Sequence, residues 1–232
     1  VFKMGLLEEH KAERRGRILA AARKLVTTQG YEGLTMRELG TAARVSVPTL
    51  YNLFGSKDAI LVAAIEASAV RIASEITTGD SYFARGIAAF DAGMSLIEHE
   101  PELYRAVMKM FLTSTSPETL AMRRRVNEGY IALMAGNLTA AQAAGQLADW
   151  ADPAIVARHM FASYISAFLG WSMGELDLPT FRAAALSAFC HLLAGVARGP
   201  FAADVEARLR ELRATPLPFH NPQEVRDATS RD

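Results

Sequence analysis

Between residues 18 and 26 the apolar side chains Ile18, Leu19, Ala22, Leu25 and Val26 return at helical spacing, and similar stripes recur through most of the chain. This first helix is predicted to stop at Gln29-Gly30, before the link Tyr31-Glu32-Gly33-Leu34-Thr35. A long helix is expected over 56–76. Phe83, Ile87, Phe90, Met94 and Ile97, spaced by four, three, four and three, mark the core stripe of the next. Pro101 and Pro117 open two more, carrying Leu103, Val107 and Met110, then Met122, Val126, Tyr130 and Leu133. The run Arg123-Arg124-Arg125 is expected on the solvated side of the second. Two helices differ in kind, because Pro153 to Gly174 and Phe181 to Val196 are apolar on every face. A helix of that sort must be covered all round, either by a second copy of the same pair across a twofold axis or by burial at the centre of a monomer. A charged helix follows Pro200 to about Arg213, and the proline-bearing end from 215 to 232 reads as an extended or disordered tail. Alternating β-branched runs and hairpin dipeptides are nearly absent, so the expected class is all-α.

The densest information lies in 35–61, TMRELGTAARVSVPTLYNLFGSKDAIL. Thr35 and Glu38 have capping-box spacing and start one short helix. Val45 and Ser46 interrupt it. Ser46 followed by Pro48 starts another over Val47 to Leu53, since proline in a first helical turn forfeits no hydrogen bond. Gly55 is expected to close this helix and Ser56 to cap the next. Leu50 and Phe54 then reach inward toward Leu39, Ala42 and Val45, leaving Thr49, Tyr51 and Asn52 outward. An outer face of threonine, tyrosine and asparagine has the donors and acceptors to meet groove edges and phosphates.

The segment VSVPTLYNLFGSKDAIL resembles the recognition helix and following turn of the TetR family of transcriptional regulators, and the likeness extends over about residues 13 to 62. The resemblance implies an N-terminal three-helix helix-turn-helix domain over 8–55, followed by a helical effector-binding and dimerisation domain over 56–214. It assigns base-edge contacts to Arg37, Val47, Pro48 and Thr49, and phosphate contacts to Tyr51 and Lys57, with Asn52 on the same outer surface. These roles suit the residue types: an arginine fork matches the two acceptors of guanine, and valine and proline can pack on a thymine methyl. Many relatives carry glycine where Pro48 stands, and others carry proline. The family usually dimerises through its last two long helices, which agrees with the two all-round apolar helices here.

Charge separates the two parts. The 232-residue chain is neutral, with 25 basic and 25 acidic residues. Residues 1 to 62 hold ten basic side chains against six acidic ones, a net +4 that the remainder balances with −4. A basic head on an acidic body orients the molecule toward DNA, and Arg14, Arg15 and Arg17 are further phosphate candidates. Half of the residues are hydrophobic, enough for a sizeable core. A lone Cys190 excludes an internal disulfide and a cysteine zinc site, and fits a reducing cytoplasm. Uncharged runs at 159–174 and 183–197 fall short of the roughly 20 residues a membrane span needs. The basic N-terminus lacks the apolar stretch of a secretory signal. Val1 is not an initiator methionine, and Met4 is a candidate start.

No enzyme constellation emerges. Cys190 and His191 are neighbours in sequence, and on a helix they project about 100° apart. Glu98, His99 and Glu100 fail as a metal cluster for the same reason, and there is no HExxH and no glycine-rich phosphate loop. No metal or cofactor is therefore expected. His159, within an apolar helix, fits a hydrogen-bonded core histidine better than a ligand-binding one. The expected function is a homodimeric regulator that binds double-stranded DNA and, as a repressor, leaves a palindromic operator when a small apolar effector binds. Tyr104, Met108, Phe111, Met134, His159, Phe168 and Trp171 are the candidate effector lining, since methionine and aromatics make an adaptable apolar wall. A regulator controlled by a protein partner, or a helical enzyme carrying a helix-turn-helix, are the alternatives.

Overall fold

A computed structural model describes residues 2–73 and 80–213, with side chains over 9–67 and 80–213. The tail 215–232 and the last residues of the helix expected over 56–76 lie outside the described residues. Ten helices follow one another among the described residues: α1 (Phe2–Gly33), α2 (Met36–Ala43), α3 (Val47–Phe54), α4 (Lys57–Ala73), α5 (Tyr82–His99), α6 (Pro101–Thr113), α7 (Pro117–Ala143), α8 (Pro153–Ser172), α9 (Leu178–Ala194) and α10 (Gly199–Arg213). No strand forms among them beyond a single bridge between Leu147 and Ala197. The fold is all-α. None of the described helices is long and apolar enough to cross a membrane.

Local chemistry explains most boundaries. Gly30, at φ +70° and ψ −176°, breaks α1 where the sequence predicts its end. Prolines stand in the first turns of α3, α6, α8 and α9. Asp152 and Asp177 cap α8 and α9 by accepting backbone N–H groups, and the bonds from Thr180 hold the Asp177 carboxyl below its ordinary range.

The chain divides into two compact units, one comprising 1–80 and 84–130, the other 81–83 and 131–232. In the first, α1 packs on α2, α4 and α6. Ile18, Ala22 and Val26 of α1, Leu39 of α2, Leu50 of α3 and Ile60, Leu61 and Ala64 of α4 are fully buried. Arg23 reaches from α1 to the Ala64 carbonyl and the Glu100 carboxylate, tying α4 and α6 to it. Arg123, expected to be solvated, instead donates to the Phe111 carbonyl at 2.9 Å near the end of α6, while Arg125 pairs with Glu66 at 3.0 Å. Burial also shifts one core position: Ala43 is buried and Ala42 exposed, because 39 and 43 stand one full turn apart on the side facing α3.

In the second unit α8 packs on α9, and α9 on α10. Phe161, Tyr164, Phe168, Trp171 and Phe181 form one aromatic cluster, with Phe168 stacked on Trp171 at 5.5 Å and tilted against Phe181 at 5.7 Å. His159 does not belong to this core. It is exposed, because the face of α8 that packs on α9 runs through Ala157, Met160 and Phe161, and 159 falls on the opposite side. Cys190 is fully buried, and burial pushes its thiol up to about 11.

Candidate nucleic-acid interface

The α2–α3 pair is built by caps. Thr35 Oγ1 accepts the Glu38 N–H at 3.2 Å, and the Glu38 carboxylate takes the Thr35 hydroxyl at 2.9 Å, a variant of the expected box in which the glutamate meets the side chain. At the other end Val45 N–H donates to Gly40 O at 2.9 Å and Arg44 N–H to Thr41 O at 3.3 Å. These are the two bonds of a Schellman cap. Ser46 then caps α3, its hydroxyl oxygen accepting the Thr49 N–H at 3.3 Å. Gly40 sets how closely the helices approach: a Cβ there would sit 3.0 Å from the Val45 carbonyl oxygen and 3.6 Å from Val47 Cγ2. Gly55 closes α3 at φ +84°, its N–H on Tyr51 O at 2.8 Å.

This scaffold exposes the expected contact residues together. Arg37 projects from the first turn of α2, and Pro48, Tyr51 and Asn52 are exposed on α3, Tyr51 by 52%. Val47 and Thr49 are half-buried, and the Thr49 hydroxyl, 2.8 Å from that of Ser46, is engaged within the cap of α3. Arg37, Gly40, Thr41, Arg44, Val45, Ser46 and Val47 line an open groove of about 450 Å³ beside the start of α3.

Other basic residues are committed internally. Arg15 donates to the Leu53 carbonyl at 2.9 Å and stacks 4.2 Å above Phe54, fastening the end of α3 to α1. Arg17 pairs with Glu13 at 3.4 Å, and Arg14 is exposed. Lys57 lies on the Tyr31 ring at 3.9 Å and donates to the Tyr31 carbonyl at 3.3 Å, which leaves two ammonium protons for another acceptor. Sequence reasoning missed these anchors, and also the neighbouring junction at Asp58. Its carboxylate accepts the Tyr31 hydroxyl at 2.9 Å and the Thr119 hydroxyl at 2.8 Å. Burial together with that bond to Asp58 pushes the Tyr31 phenol up to about 12.

The candidate effector residues divide between the units. Tyr104, Met108 and Phe111 lie about one turn apart, buried, on α6 of the first. Met134 of α7 is half-buried, Phe168 and Trp171 of α8 stand in the aromatic cluster, and His159 is exposed, all four within the second. Among the described residues no group of three or more His, Cys, Asp or Glu side chains could hold a metal ion.

Residues 18–64 match the family model of bacterial regulatory proteins of the tetR family. The chain is 35% identical over 103 residues to the HTH-type transcriptional activator FasR of Mycolicibacterium smegmatis, a match covering 42% of this chain and only 46% of that protein's length. Among solved structures it resembles SmeT, repressor of the Stenotrophomonas maltophilia multidrug efflux pump SmeDEF, with TM-score 0.62 and 24% identity over 81% of this chain and 92% of that one. It also resembles the regulator FadR of Bacillus subtilis in complex with stearoyl-CoA, with TM-score 0.61 and 21% identity over 77% and 97% of the two chains. Residues 18–64 thus carry the DNA-binding segment described by the tetR-family model, and the capped α2–α3 pair, the three-helix core beneath it and the absence of strands from the described residues give the chain the fold of those solved structures.

Proposed function

We propose that this protein is a cytoplasmic, homodimeric transcriptional regulator whose hold on a near-palindromic operator is weakened by a small apolar effector. Residues 8–55 read DNA, and 56–214 carry the effector and dimer functions. The observation that carries this reading is the exposed side of α3 with its neighbour Arg37: Val47, Pro48, Thr49, Tyr51 and Asn52 offer apolar and hydrogen-bonding contacts and carry no acidic group. In it Arg37, Val47, Pro48 and Thr49 meet base edges, Asn52 adds an amide to the same surface, and Tyr51 and Lys57 hold phosphates. Selection from random duplexes tests the assignment. Tyr51→Ala should weaken binding to all sequences alike, and Arg37→Ala should relax preference at one base step, at about 1–3 kcal/mol of discrimination. An unchanged selected sequence for Arg37→Ala would remove its base-reading role.

Dimerisation through α8 and α9 is supported by small or apolar outer positions: Ile155, Ala162 and Ser166 are exposed on α8, and Ala194 on α9 beside half-buried Ala183 and Ser187. Leu186 and Phe189 are buried within their own chain, which leaves the small-residue side of these helices for the partner. Twofold pairing would set the recognition helices about 34–36 Å apart, or a multiple of it. Sedimentation as a monomer at micromolar concentration would sink this part.

For the effector, the α6 group Tyr104, Met108 and Phe111 is best connected to the head, since α6 packs on α1 and α4 in the same unit. Met134, His159, Phe168 and Trp171 remain candidates within the second unit. A ligand that favours one placement of α4 shifts the population only by its differential affinity for the two states. Release of the promoter would make the protein a repressor, as SmeT is named, whereas FasR is named an activator. Thermal-shift screening of aromatic, alicyclic and long-chain acyl compounds, followed by operator release, decides the matter. Compounds that stabilise the protein yet leave DNA affinity untouched would reject induction, and a screen without hits would favour control by a protein partner.

A further inference from the structure

Arg44 is the only non-glycine residue with positive φ among the described residues, at φ +55° and ψ +49°. It occupies the left-handed position of the Schellman cap that ends α2, where glycine fits without steric penalty and an arginine Cβ crowds the backbone. The rest of the side chain offers no compensation within the fold. Arg44 is exposed, and its guanidinium makes no hydrogen bond, ion pair or ring contact among the described residues, whereas Arg15, Arg23, Arg123 and Arg125 of the same unit are all engaged. Its position is specific. Arg37, Gly40, Thr41 and Arg44 fall on one side of α2 at helical spacing, and all four line the groove shared with Val45, Ser46 and Val47. Two uncompensated guanidiniums therefore flank the entry to α3. The nearest acidic side chain in sequence, Glu38, is turned to the Thr35 hydroxyl.

We propose that Arg44 is a DNA-backbone anchor, binding a phosphate beside the major groove that α3 enters, and that this contact is what retains arginine at a position built for glycine. The inference rests on the reading of α3 as the recognition helix. Phosphate is favoured over a base edge because the helix before a recognition helix crosses the backbone. Arg44 ends that helix and stands outside the outer face of α3.

The test uses the full chain, a duplex selected by the wild type and an unrelated duplex, with thermal unfolding measured alongside. Arg44→Gly should raise the unfolding temperature by a few degrees, lower affinity for both duplexes about tenfold, and make the dependence of log K on log salt shallower by about one, with the selected sequence unchanged. Arg44→Lys should keep most of the affinity, because a phosphate accepts a point charge. Wild-type affinity and salt slope in Arg44→Gly, or an altered selected sequence, would overturn the anchor. An unfolding temperature below wild type would overturn the backbone cost. If the wild type itself binds neither duplex, the recognition-helix reading falls and this inference with it; if it binds and Arg44→Gly binds equally, only Arg44 loses its role.

Discussion

Removing the Asp58 carboxylate should loosen the joint between α1, α4 and α7. The half-buried group receives the Tyr31 hydroxyl at 2.9 Å and the Thr119 hydroxyl at 2.8 Å, and Thr119, only 3% exposed, accepts in turn from Ser116 at 3.0 Å. A hydrogen bond to a charged acceptor contributes about 1.5–3 kcal/mol, and stranding the buried Thr119 hydroxyl adds a desolvation cost of similar size. The two bonds share one acceptor, and the tyrosine is partly solvated, so their sum is less than additive. Asp58 also stands in the first turn of α4, where the helix dipole favours a negative charge by about 0.3–1 kcal/mol. Asp58→Ala should therefore cost about 3–4 kcal/mol, or roughly 6–16 °C in Tm for a chain of this size. Thr119→Val, which removes one charged-acceptor bond without stranding a polar group of its own, should cost less than Asp58→Ala, about 1.5–3 kcal/mol. Urea unfolding followed by far-ultraviolet circular dichroism at pH 7 measures both, with a constant m value as the check on two-state behaviour. In a double-mutant cycle Tyr31→Phe should lose most of its effect once Asp58 is alanine. A cost for Asp58→Ala below about 1 kcal/mol, or the same cost for Tyr31→Phe in both backgrounds, would refute the reasoning.

Three further outcomes follow from the geometry. The Tyr31 phenol is raised from 10.0 to about 12, so the stability its proton supports is complete below pH 10 and is lost as pH rises through 12; alkaline unfolding should show that loss in the wild type and not in Tyr31→Phe. Burial raises the Cys190 thiol from 9.0 to about 11, so a thiol reagent at pH 8 should label it slowly in the native protein and rapidly in urea. Gly40→Ala places a Cβ 3.0 Å from the Val45 carbonyl oxygen, so the α2–α3 turn must open; DNA affinity should drop more than tenfold while unfolding shifts by only about 1 kcal/mol, because alanine's helix propensity offsets part of the strain. Equal affinity for DNA in that variant would show that the turn has slack.

The sequence by itself determined the features whose partners lie within a turn or two. Thr35 with Glu38, Ser46 with Pro48, Ser56 ahead of α4 and the break at Gly30 are all legible, because capping atoms sit within about four residues of the groups they satisfy. Helical periodicity likewise located the stripe of α1 and the helices opened by Pro101 and Pro117. Only the tertiary structure decided which side of an apolar helix is covered, and by what. It exposed His159, exchanged Ala42 for Ala43, and divided the proposed effector residues between two units. It also joined Tyr31 to Asp58, Arg15 to Leu53 and Thr119 to Asp58 across 27, 38 and 61 residues. Arg44 combines both limits: the sequence gives no reason to expect arginine in a left-handed cap, since propensity favours glycine, and only the folded turn reveals that the residue stands at the groove. Local hydrogen bonding and periodicity act through the chain's own neighbours, whereas burial and long-range pairing depend on which surfaces meet once the helices pack.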